Sequence, residues 1–88
     1  MDEKKKDEIR TELQDETFSF EIVKFGAVLG ERRKTGFAKE LNFVKFGDRD
    51  PKWDIREWDE GHTKMTKGIR FTEEEIKDLA QALVEEGI

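Results

Sequence analysis

The stretch Lys52-Trp53-Asp54-Ile55-Arg56-Glu57-Trp58 concentrates residues able to do recognition chemistry. Successive side chains alternate along an extended strand, so Trp53 and Ile55 point one way while Lys52, Asp54, Arg56 and Trp58 point the other. An apolar side suited to packing then backs a side that combines two cations with an indole. Cations neutralise phosphates and release counterions, and an aromatic ring stacked on an unpaired base contributes about 1–3 kcal/mol whatever the base. Single-stranded nucleic acid is the ligand this combination fits. Phe37, Lys39, Lys45 and Phe46 in the segment before extend the candidate surface. The plainer alternatives are a surface Arg56 paired with Glu40 or Asp54, a Trp58 buried in the core, and solvated lysines.

Other chemistries find less support. The chain has no cysteine and one histidine, so neither a disulfide, a thiolate metal site nor a histidine cluster is available. His62 lies in Asp59-Glu60-Gly61-His62-Thr63-Lys64, where a solvent-exposed loop residue is expected. No nucleophile is placed to partner it, and the carboxylates form no isolated pair in an apolar setting. Gly30-Glu31-Arg32-Arg33-Lys34-Thr35-Gly36 lacks the residue order of a phosphate loop, although three adjacent cations could catch a phosphate. The expectation is a binding protein, not an enzyme, with no cofactor and no metal.

The charge distribution supports a basic binding region inside an acidic chain. The net charge is −5 over 88 residues. Residues 1–23 hold four basic against eight acidic side chains, residues 24–70 twelve against eight, and residues 71–88 one against six. The positive balance therefore falls on the segment that carries both tryptophans. No apolar run reaches membrane-spanning length, and residues 1–16 lack a secretion-signal hydrophobic stretch, so a cytoplasmic protein without membrane contact is expected.

These side chains must be positioned by strands. Residues 1–16 offer only Ile9 and Leu13 as sizeable apolar side chains after Met1, which predicts a disordered acidic tail ahead of a binding domain over 17–88. From Thr17 onward, four segments rich in β-branched and aromatic residues (17–29, 36–46, 51–58 and 68–71) are separated by Gly-, Asp- and Lys-rich turns. Thr72 and Glu75 then form a capping-box pair ahead of Ile76, Leu79, Ala80, Leu83 and Val84 at helical spacing, with Gly87 as the stop. The prediction is an α+β fold of order β-β-β-β-α, a four-stranded antiparallel sheet with the helix on its Trp53 face and the Arg56 face open. So short a chain buries little apolar surface, which predicts a homodimer joined through Ile76, Leu79 and Leu83.

Residues 53–83 resemble the single-stranded-DNA-binding transcriptional coactivator family named for positive cofactor four, and especially its short bacterial YdbC-type branch. The resemblance rests on Asp54-Ile55-Arg56-Glu57-Trp58, on Lys67-Gly68-Ile69-Arg70-Phe71 running into the capped helix, and on the upstream stretch Gly36–Phe46. It implies a strongly curved sheet backed by a helix, two subunits joined through helices and adjoining strands, and a single strand lying across concave channels. By the same resemblance Arg56 matches a phosphate-contacting arginine, Trp58 and Phe46 match stacking aromatics, and Lys64 and Lys67 match lysines bordering the loop. This chain departs from the pattern in having one tryptophan followed by Asp59, and in its shorter loop. The expected function is sequence-tolerant single-stranded DNA binding in support of transcription, replication or repair, with the transcription machinery as a further partner. RNA binding on the same face and a protein-interaction module are the rival readings.

Overall fold

The computed structural model describes residues 19–88. The expectation of a disordered tail over 1–16 lies outside them. The elements follow the expected order: β1 (Phe20–Leu29), β2 (Ala38–Phe46), β3 (Lys52–Trp58), β4 (Ile69–Phe71) and α1 (Glu73–Glu85). The strands form one antiparallel meander in the order β1-β2-β3-β4. Gly47 turns the chain between β2 and β3 at φ 56, a left-handed conformation that a residue without Cβ adopts at no steric cost.

The helix begins and ends by local chemistry. Thr72 Oγ1 accepts from the Glu75 N–H at 3.1 Å and Glu75 Oε1 accepts from the Thr72 N–H at 2.8 Å, which completes the capping box. Glu73, Glu74 and Glu75 place negative charge at the positive end of the helix dipole. At the other end Gly87 takes φ 76, and the N–H groups of Gly87 and Ile88 return to the carbonyls of Val84 and Leu83. This closure satisfies carbonyls that have no partner within the helix.

The sheet is strongly curled. Trp58 pairs with Ala38, and Phe20 pairs with Phe46 at the far end of β2. On a flat strand those positions would stand about 26 Å apart at roughly 3.3 Å per residue. The Phe20 and Trp58 rings nevertheless meet, with centroids 5.2 Å apart. Two register shifts in β1, between Ile22 and Lys24 and between Phe25 and Ala27, supply local bending. Asn42 supports the second: its Oδ1 accepts the Gly26 N–H at 3.0 Å. Gly26 is required there, because a Cβ would collide with the Leu41 carbonyl and approach the Trp53 ring to 3.3 Å.

Curling reverses the expected assignment of the faces. Alternation does separate Trp53 and Ile55 from Asp54, Arg56 and Trp58, but the deepest burial lies on the Arg56 side. Ala38, Glu40, Asn42, Val44, Asp54 and Trp58 are all buried there. The face expected to be open thus closes on itself. The Trp53 face is the less covered one: α1 approaches only β3 and β4, no helix residue is buried, and a groove of about 690 Å³ remains between Phe43, Trp53, Phe71, Ile76 and Ala80. Among the described residues no helix is long and apolar enough to cross a membrane.

Candidate nucleic-acid interface

The inner face is organised around two buried carboxylates. Asp54, fully buried, accepts from Arg56 Nε and Nη2 at 2.7 Å each, and Arg70 Nη1 lies 3.4 Å from the same carboxylate. β4 supplies Arg70 because it pairs directly opposite Asp54. Burial lowers the Arg70 guanidinium below an arginine's ordinary value; Asp54 opposes that shift, and the neighbouring Arg56 and Arg49 charges reinforce it. Arg70 stays charged all the same. Both guanidiniums lie over the Phe46 ring, 4.8 Å from its centroid for Arg56 and 4.5 Å for Arg70. Gly68 permits this arrangement: a Cβ there would stand 2.6 Å from both Cβ and Nε of Arg56 and 2.7 Å from the Ile55 carbonyl oxygen.

The second carboxylate, Glu40, accepts from Asn42 Nδ2 at 2.9 Å and meets His62 Nε2 at 2.9 and 3.0 Å, with Arg32 Nη2 at 3.8 Å. His62 is therefore a half-buried clamp and not the solvent-exposed loop residue expected. It holds φ 57, a conformation uncommon outside glycine. Its ring joins a continuous series: Phe25 to His62 at 5.2 Å, His62 to Trp58 at 5.6 Å, Trp58 to Phe20 at 5.2 Å and Phe20 to Phe46 at 6.4 Å. The loop bearing His62 is fixed by Asp59, which accepts from the Thr63 and Lys64 N–H groups at 2.8 Å and from Thr63 Oγ1 at 2.9 Å. Burial raises the Asp59 carboxyl, but these hydrogen bonds together outweigh it and leave the group below its ordinary value.

The candidate residues divide on this frame. Trp58 is corrected: an open stacking ring was expected, but the indole is 0 % exposed beneath Phe20 and His62, and its Nε1 has no partner among the described residues. Arg56 faces inward as alternation requires, yet its side chain is only 11 % exposed and is paired with Asp54. Lys39 and Lys45 share the Leu41–Phe43 face, away from Arg56, where Lys39 stands opposite Glu57. Lys52, Lys64 and Lys67 are exposed, and Phe37 and Phe46 are half-buried. Of the intended helix contacts, Ile76 and Leu79 are half-buried and Leu83 is 43 % exposed.

Arg70 and Phe25, both outside the candidate set, also belong to the inner face. Arg70 lay within the fourth strand, and strand alternation separates it from Phe71, but only the β3–β4 register brings it to Asp54. Phe25 is the more accessible ring, 62 % exposed beside Lys24, and the bulges that set its direction leave no mark on an alternation pattern.

A curled antiparallel meander with exposed lysines, half-covered rings and a capped C-terminal helix makes this a small α+β domain. The chain belongs to the family of the transcriptional coactivator p15 (PC4), whose model matches residues 34–82, from the first hairpin loop through most of α1. That family binds single-stranded DNA and acts in transcription, and it is not a family of enzymes. No curated protein matches the chain.

Proposed function

We propose that this chain is a homodimeric single-stranded-DNA-binding protein of the bacterial YdbC-type branch, which holds melted DNA during transcription, replication or repair. The family membership carries this reading. The surface agrees with it: Lys52, Lys64 and Lys67 are exposed cations that can neutralise a backbone, while Phe46 and Phe37, together with Phe25, offer partly accessible rings for bases. Arg56 and Trp58 support the inner-face rings from beneath, Trp58 against Phe20 and Arg56 over Phe46. A dimer is supported by the helix side, where Leu83 and Val84 are 43 % and 73 % exposed beside the apolar groove.

One titration tests the reading: the purified chain is added to fluorescein-labelled single-stranded DNA, the matching duplex and the matching RNA across a salt series. Tighter binding to single-stranded DNA, weakening linearly in log salt, is expected, with sedimentation at twice the monomer mass. Equal binding to RNA would move the reading to single strands of either sugar. Absence of single-strand binding, or a folded monomer at micromolar concentration, would refute the respective half.

A further inference from the structure

The two inner-face arginines differ in how many donors they have left to offer. A guanidinium carries five N–H groups. Arg56 directs four of them inward, Nε and Nη2 to Asp54 and both hydrogens of Nη1 to Met65 Sδ and the Thr66 carbonyl, each at 3.3 Å. Arg70 directs two, Nη1 to Asp54 and Nη2 to the Val44 carbonyl at 2.9 Å, so three have no partner among the described residues. Its side chain is also the more accessible, 24 % exposed against 11 %.

Charge favours the same residue. Asp54 is one carboxylate between two guanidiniums, which leaves the trio with one uncompensated positive charge. Arg49, in the β2–β3 turn, adds like charge from nearby. An anion arriving at Arg70 would relieve that repulsion. The guanidinium fork matches a phosphate's oxygens.

We infer that Arg70, not Arg56, takes a backbone phosphate of the bound single strand, and that Arg56 is a positioning residue that fixes Asp54 and, through it, Arg70. This rests on the single-strand-binding reading above. Phosphate contact therefore enters this domain from β4, at the residue that follows Lys67-Gly68-Ile69.

The test uses the full chain and oligo-dT. The wild-type protein is treated with an arginine-selective dicarbonyl reagent, with and without saturating oligonucleotide, and adducts are located by mass spectrometry. Arg70 is expected to be modified in the free protein and protected by the strand, while Arg56 stays unmodified in both states. In parallel, Arg70→Ala is expected to lower the slope of log affinity against log salt by about 0.7, the share of one phosphate on a single strand, and Arg70→Lys to restore most of it. Lys64→Ala/Lys67→Ala is the reference variant. If Arg70 reacts equally with and without bound strand, or folded Arg70→Ala keeps the full slope while the reference variant loses slope, the assignment to Arg70 is overturned and the groove reading stands. If oligo-dT does not bind the wild-type protein, both fall together. Should Arg70→Ala not fold, the protection experiment on the unmodified chain decides alone.

Discussion

The two faces of this sheet are stabilised by opposite means. The helix side is chemically the more apolar, with Leu41, Phe43, Trp53, Ile55 and Phe71, yet its side chains are only partly covered. The inner side carries two carboxylates, two arginines, a histidine and an asparagine, and it contains every fully buried residue among those described. Burial thus follows curvature and not hydrophobicity alone. A polar face can be the core when each buried charge meets a partner, as Asp54 does with Arg56 and Arg70 and Glu40 with His62 and Asn42.

The comparison is broken or sharpened most strongly by the tryptophans. Trp58→Ala should cost about 3–5 kcal/mol in urea denaturation, because it empties the place where the two ends of the sheet meet. Trp53→Ala should cost less. A larger loss at Trp53 would restore the helix side as the main core.

Close approach on the inner side gives the next effect. Gly68→Ala should destabilise by about 1–3 kcal/mol by forcing Arg56 off Asp54, as overpacking does elsewhere. Gly61→Ala is the matched control, since its nearest neighbour to a new Cβ, Thr63 Cγ2, lies at an ordinary 3.9 Å. If the two variants unfold at the same urea concentration, Gly68 is not holding the backbone against Arg56.

The smallest effect concerns acid. Asp59 has its carboxyl below the ordinary 3.8 in the folded chain, so ionised Asp59 favours folding at pH above about 4. That contribution is lost as the pH falls from near 3.8 through the lower folded value. Asp59→Asn should therefore lower the unfolding midpoint at pH 6 and flatten its decline between pH 4 and pH 3. Parallel curves for both proteins would place the acid sensitivity elsewhere.

Much of the fold was legible in the sequence because its signals are local. Alternation placed Trp53 and Ile55 apart from Arg56 and Trp58, and Thr72 with Glu75 fixed the start of α1. What stayed hidden depends on contacts distant in the chain. The bulges at Ile22/Lys24 and Phe25/Ala27 interrupt pairing without altering composition, and they bring Phe20 over Trp58. Without that curl, Trp58 reads as an open ring and His62 as a loop tip. Arg70 was hidden for the same reason: a three-residue strand has no register until its partner is known.

The chain's only two tryptophans lie on opposite faces of β3, so the molecule carries its own pair of optical probes. Trp58 sits in a dry environment of rings, and its emission should be blue-shifted and hidden from acrylamide. Trp53, 5.1 Å from Phe43 and beside the groove under α1, should emit further to the red and quench readily. In a chain with Trp53→Phe, a spectral change on adding DNA would report the interior of the curl. In one with Trp58→Phe, a change on raising protein concentration would report the helix side. Strand binding and self-association can thus be followed separately, without attaching a dye.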